Sequence, residues 1–371
     1  MTIQRPTLHG EPARDHQSDG CHPSRRQVLA MLSAVGAGMV LAPGASLAQI
    51  ASNGPRIIDT HHHIYPPHFT AKNLKRIVDD SPGIPASLYL NWSPRFSLDQ
   101  MDQSGVATAI ASITSPGVWF GNNEEGRVWA RECNEYGAQL KKDFRDRFGM
   151  FTAVPLPDAE GSLREIQYAL DVLKLDGIGL LTSYKGKLLG DPAFAPVFDE
   201  LNRRKAVVFV HPTMSCCGNP LAPVGAPYIE FPTDTTRAIT NLIYSGTFAR
   251  CPDIRFIFSH GGGTTPMLVS RIARVGATTL KPEERAVMLP NGLEHELQKH
   301  SYDIASVAVN PAAMAAVLKL IPVTRLLFGS DAPFWAIAQI AGALNKFDLP
   351  AGDIRAIQRD NALRLFPQFK T

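Results

Sequence analysis

Short apolar runs rich in Val, Ile, Leu and Phe recur along the chain, and between them lie longer stretches whose apolar residues return every three or four positions. The first pattern fits strands buried on both faces and the second fits amphipathic helices, so their alternation predicts parallel βα units. The runs place eight strands at residues 56–61, 107–113, 149–154, 177–181, 206–211, 254–260, 301–304 and 325–329. Helices are expected at 125–142, 161–175, 192–204, 235–249, 266–275 and 311–320. Eight such units close into a (β/α)8 TIM barrel. A doubly wound sheet, the competing α/β architecture, usually carries a glycine-rich phosphate turn after its first strand, and here that strand ends in histidines.

Two connections exceed a simple turn, 64–98 after the first strand and 212–234 after the fifth, both rich in proline and aromatic residues. They are expected as long loops shaping the active-site face. A third irregular stretch, 281–299, is expected as a surface helical excursion. No repeat or low-complexity linker divides the about 320 residues after position 48, so residues 49–371 read as one barrel domain.

Residues 1–48 break this pattern. A polar stretch ends in Ser24-Arg25-Arg26-Gln27, passes into an apolar run over 28–41 and reaches the small-residue site Ser46-Leu47-Ala48. That order predicts a twin-arginine signal peptide, cleaved before Gln49, and with it the twin-arginine export machinery as a partner and the periplasm as destination. A membrane anchor or an uncut tail is the alternative, but the apolar run is short for a spanning helix and stops at Pro43-Gly44.

Composition narrows the function. With 44% hydrophobic and 19% charged residues the chain can bury a large core and is not disordered. Its net charge of +3 is spread in both signs, with no basic block interleaved with aromatics, so nucleic acid is not an expected partner. Of the five cysteines Cys21 lies in the leader, and Cys133, Cys216, Cys217 and Cys251 show no Cys-x-x-Cys spacing, so a zinc knuckle or thioredoxin-like site is not indicated. The adjacent Cys216 and Cys217 read as two free thiols, with a strained vicinal disulfide as the alternative.

The chemistry concentrates at strand ends. In IIDTHHHIYPPHF, residues 57–69, side chains at i and i+2 of a strand share a face, so His61 and His63 can present two imidazoles to one ion while His62 points elsewhere. VVFVHPT puts His211 at the end of strand five, FIFSHGGG puts His260 at the end of strand six, and LLFGSDAPF puts Asp331 just past strand eight. Barrel enzymes build their sites at these carboxyl ends. Neutral imidazoles with a carboxylate suit Zn²⁺ or a similar divalent ion that keeps one position open. The plainer readings are backbone hydrogen bonding at the barrel mouth for His211 and His260, and a helix N-cap for Asp331. The buried Leu-Leu-Phe strand before Asp331 favours the ligand role.

The set HxH, His, His and Asp on strands one, five, six and eight resembles the amidohydrolase superfamily. Within it the chain resembles the branch of aminocarboxymuconate-semialdehyde decarboxylase and related aromatic-acid decarboxylases, over essentially everything after the leader. The segments SPGVWFG, NEYGAQL, DGIGLLTSYKGKLLGDPAFAPVFDELNRR, HPT, SHGGG and NALRLFP resemble 6-methylsalicylate decarboxylase-like members. The resemblance implies one divalent metal, Zn²⁺ or alternatively Mn²⁺, held by His61, His63, His211 and Asp331, with His260 as an acid/base beside the substrate. It leaves the proton donor open among Asp331, His260 and metal-bound water. Many hydrolytic relatives carry a bridging carbamylated lysine on strand four; here Lys185 lies beyond that strand, so a binuclear centre is not implied.

The function implied is non-oxidative decarboxylation of a small aromatic or unsaturated carboxylic acid. Hydrolysis of a lactone or amide by the same centre is the alternative, and a non-catalytic exported metal-binding protein is a third reading. The loop aromatics are Trp92, Trp119, Phe120, Tyr184, Phe334 and Trp335, of which Trp119, Phe120 and Phe334 are expected near substrate. Arg95 reads as a solvated side chain, with a carboxylate clamp as its functional alternative. Dimeric and tetrameric members of the branch make a homo-oligomer an expectation.

Overall fold

The computed structural model describes residues 57–214, 221 and 224–370; the leader and the Cys216-Cys217 pair lie outside them. Each predicted strand forms. β1 Ile57–His63, β2 Val106–Ser112, β3 Phe148–Ala153, β4 Gly177–Leu181, β5 Val207–His211, β6 Arg255–Phe258, β7 Ser301–Asp303 and β8 Leu326–Leu327 pair in parallel in that order. Strand order equal to chain order is the winding of a (β/α)8 barrel. The seam closes through three backbone bonds: Thr60 N–H to Phe328 O at 2.9 Å, Asp331 N–H to His61 O at 2.7 Å, and His63 N–H to Ala332 O at 2.7 Å. Closure therefore pulls the segment carrying Asp331 against the one carrying the paired histidines.

Along the strands, alternate residues face the barrel axis. Ile58, Ile110, Phe151, Val207, Phe209, Ile257 and Leu327 form one buried apolar cluster, joined by Phe366 and Phe369 from the C-terminal segment. Phe369 packs against Gly149 at the start of β3, so this segment caps the barrel at the amino ends of the strands. Burying a phenylalanine contributes about 1.5–3 kcal/mol, and the stacked Phe151–Phe209 pair, 5.1 Å between centroids, floors the site above it.

Three strand ends differ from expectation by two residues. β1 runs two residues further, through His63, because its last residues pair with β2 and with Ala332. β6 stops at Phe258, since His260, Gly261, Gly262 and Gly263 all take positive φ and turn the chain out of the sheet. β8 keeps two residues, because Phe328 N–H is drawn to Ile357 O.

The segment 64–98, expected as a loop, folds into the helices Pro67–Asp80 and Ala86–Leu90 and the start of Pro94–Gln103. Its prolines start helices rather than breaking them: Pro67 and Pro94 occupy first helical positions, where no N–H is needed, and the Ser93 side chain accepts the N–H of Phe96. Likewise the helix after β5 spans Ala226–Tyr244, starting nine residues before its expected position. The excursion 281–299 contains two short helices, Pro282–Met288 and Leu293–Leu297. Cys133 and Cys251 are buried free thiols.

Candidate metal centre

Strict alternation along β1 would turn Ile58, Thr60 and His62 inward and His61 and His63 outward. The ladder with β2 prevents this: Asp59 pairs with Ala109 and His62 with Ala111, so β1 carries one residue more than β2 across this step. This bulge reverses the strand's facing between Ile58 and His61. On β5 no correction is needed, since Val207, Phe209 and His211 alternate regularly onto the inner face. His62 is left on the other side, with Nδ1 at 3.3 Å from Asp59 and Nε2 at 2.8 Å from the Ser97 hydroxyl.

The result is a buried group of His61, His63, His211 and Asp331 whose candidate ligand atoms all lie within 4.8 Å of one another. His61 Nε2 and His63 Nε2 are 3.1 Å apart, and Asp331 Oδ1 stands 3.1 Å from His63 Nε2 and 3.2 Å from His61 Nε2. An ion bound at about 2.1 Å spaces tetrahedral donors about 3.4 Å apart, so these separations fit one cation. The outer nitrogens are engaged as ligating histidines require: His61 Nδ1 faces Asp303 Oδ2 at 2.9 Å, His63 Nδ1 faces the Ser112 hydroxyl at 3.0 Å, and His211 Nδ1 faces Pro212 O at 2.7 Å.

Electrostatics make the same demand. Burial opposes charge on His61, yet Asp303 and Asp331 outweigh it and lift its pKa to about 10. Burial, aided by His61, holds His63 down at about 4, and burial together with His63 and His61 holds His211 well below the usual imidazole range. Burial alone would raise Asp331, but His61, His260 and His63 keep its carboxyl well below the usual carboxylate range. Two carboxylates that favour a positive charge at His61, beside His63 and His211 held neutral, suit a divalent cation taking the place of that proton.

His260 enters from the turn after β6 with φ 53°, and its Nε2 stands 3.3 Å from Asp331 Oδ2. Asp331 itself has φ 63°. Its two oxygens thus divide between the imidazole cluster and His260.

A cavity of about 480 Å³ opens over His211, His260 and Asp331, walled by Ile84, Phe231, Phe334 and Trp335 among others. Phe334 lies 5.7 Å from the His63 ring. Trp119 and Phe120, expected beside it, are not in its lining: Trp119 donates to Asn123 at 2.9 Å, and Phe120 stacks on Phe69 at 6.3 Å beneath the Arg76 guanidinium. Neighbours on the helices Pro67–Asp80 and Asn123–Asp143 hold these rings away from the mouth. Trp92 is buried, donating to Ser97, and the Tyr184 hydroxyl accepts the N–H of Leu181. Arg95 is exposed and paired with Asp99 at 2.8 Å. Lys185 sits in the turn of a small hairpin, 6.0 Å from the Trp119 ring, and β4 presents no lysine.

Sequence reading missed Asp303, Ser112 and Asp59, which accepts the Ser330 backbone N–H and hydroxyl at 2.9 and 2.6 Å. The available signal was position: Asp303 and Ser112 end β7 and β2 as the ligands end theirs.

A (β/α)8 barrel with a buried His/His/His/Asp centre at its strand ends defines a metal-dependent barrel enzyme. The amidohydrolase family pattern matches residues 58–368, and the chain belongs to that family. Decarboxylase macB of Penicillium terrestre is 35% identical over 337 residues, 84% of this chain and 95% of that protein. The 6-methylsalicylic acid decarboxylase of Penicillium expansum is 34% identical over 84% of this chain and 97% of its own length. The structure of 5-carboxyvanillate decarboxylase from Novosphingobium aromaticivorans, with manganese and 4-hydroxy-3-methoxy-5-nitrobenzoic acid, shares the fold at TM-score 0.76 and 23% identity, covering 86% of this chain and 97% of that one.

Proposed function

We propose that this chain is a metal-dependent, non-oxidative decarboxylase of a small aromatic carboxylic acid, with an ortho-hydroxybenzoate of the 6-methylsalicylate kind as substrate class. The observation that carries the reading is the buried donor set opening, beside His260, into a mainly apolar cavity. The decarboxylase relatives support the reaction type.

His61, His63, His211 and Asp331 hold the cation; Zn²⁺ is the expected ion, and Mn²⁺, found in the carboxyvanillate decarboxylase structure, is the alternative. When bound, the ion would supply a Lewis acid to polarise and hold an anionic substrate. Phe334 and Phe231 flank the ring and exclude water, which fixes orientation and removes part of the barrier. His260 Nε2, sharing its proton with Asp331 Oδ2, delivers it to the ring carbon bearing the carboxylate. The C–C bond then breaks, its electron pair restores the aromatic ring, and CO₂ departs; hydrogen replaces the carboxylate and no further electron sink is needed.

The test is an assay of metal-loaded protein against salicylate, 6-methylsalicylate, 2,6-dihydroxybenzoate and a panel of lactones. Release of CO₂ matched by the phenol is expected, and lactone opening without CO₂ release from any benzoate overturns the assignment. On residues 1–48 we also propose twin-arginine export to the periplasm. N-terminal sequencing of periplasmic protein should begin at Gln49, and retention of the intact leader in the cytoplasm contradicts it.

A further inference from the structure

Asp303 ends β7, is fully buried, and touches two parts of the site at once. Its Oδ2 faces His61 Nδ1 at 2.9 Å, while its Oδ1 accepts the backbone N–H groups of His260 at 3.0 Å and Ala305 at 2.9 Å. Among the three imidazoles of the centre only His61 has a carboxylate behind it; His63 has a hydroxyl and His211 a carbonyl. The approach is tight enough to require Gly329, where an added Cβ would lie 2.8 Å from the Cβ atoms of both Asp303 and His61.

We propose that Asp303 is a positioning residue with two separable arms, one setting the His61 tautomer for metal and the other holding His260 toward Asp331. The inference rests on the reading of this site as a metal centre. A neutral imidazole carries one proton, and an acceptor-only carboxylate at Nδ1 keeps it there, leaving Nε2 as the donor that faces the other ligands. A hydroxyl, which can donate or accept, gives His63 no such bias. The second arm acts on the backbone. His260 has φ 53°, a region that L residues avoid. Gly261, Gly262 and Gly263 take positive φ without penalty, but His260 cannot, so its conformation needs an anchor. The N–H bond to Asp303 supplies it and aims Nε2 at Asp331.

The Asp303→Asn variant separates the arms. Its amide oxygen can still accept from His260 and Ala305, which leaves the NH₂ facing His61; an NH₂ only donates, so the tautomer with its proton on Nε2 is favoured and metal must displace that proton to bind. Titration of Zn²⁺ and of Mn²⁺ against a competing chelator should show wild-type binding and, in D303N, affinity weakened roughly 10–100-fold. At saturating metal the kcat of D303N should exceed that of Asp303→Ala, because the His260 anchor is kept. Asp303→Ala removes both arms and should lower kcat at saturating metal as well. Wild-type metal affinity in D303N, or equal saturating kcat in D303A and D303N, overturns the proposal. Absence of metal binding by the wild type instead defeats the metal-centre reading itself. Should D303N not fold, ¹⁵N spectra of histidine-labelled, metal-loaded wild type decide: His61 must carry its proton on Nδ1, and a proton-free Nδ1 overturns the inference.

Discussion

The two ends of the active site are built by different means. At the metal end, His61, His63 and His211 sit on strands and Asp331 is stitched to β1 by its own backbone N–H, so the sheet itself sets their spacing. At the substrate end, Ile84 lies between the helices Pro67–Asp80 and Ala86–Leu90, Phe231 within the helix after β5, and Phe334 in the turn past β8. No single element determines those distances; only packing of the helical layer does. The metal end should therefore respond to substitution all-or-none, and the substrate end by degrees.

His211→Ala tests the first half of that contrast and carries the largest expected effect. It should lose metal and turnover together, on the order of 10³-fold or more in kcat/KM, as read by metal analysis beside the CO₂ assay. His260→Ala comes next: it should keep its metal while kcat falls about 10²–10⁴-fold. Metal loss in that variant would place His260 among the ligands. At the substrate end, Phe334→Ala should raise KM roughly ten-fold with metal content unchanged, whereas Trp119→Ala should leave KM within about two-fold. Equal KM effects for the two would erase the boundary drawn here between wall and periphery.

The smallest effect on turnover lies at Asp80, which accepts from the Ser115 hydroxyl near the cavity rim and bears on stability instead. Burial pushes its carboxyl up to about 6, against the pull of Ser115. A raised carboxyl favours folding when protonated, so this stabilisation is full below about pH 4, where the unfolded carboxyl titrates, and is lost as pH rises through about 6. Asp80→Asn, which can still accept from Ser115, should raise stability at pH 7–8 by up to about 3 kcal/mol and leave it unchanged below pH 4. Thermal melts across that range check the sign.

Much of the metal end was legible in the sequence because strands repeat every two residues and barrel chemistry gathers at their carboxyl ends. That logic brings His61, His63 and His211 together. It could not reveal the bulge after Asp59 that turns the first two inward, because a bulge exists only relative to a partner strand. Nor could it show that His260 and Asp331 are delivered by left-handed turns beyond the strands. Trp119 and Phe120 look like pocket residues in a linear reading and are claimed by Asn123, Phe69 and Arg76 in the fold. The prolines of 64–98 suggested loop, yet Pro67 and Pro94 stand where a helix begins.

X-ray absorption at the edge of the bound metal reads the donor set itself. The expected shell has nitrogen and oxygen donors with the scattering signature of three imidazoles, from His61, His63 and His211, and no second metal nearby. A metal–metal distance of about 3.5 Å, or a shell with fewer than two imidazoles, would contradict it.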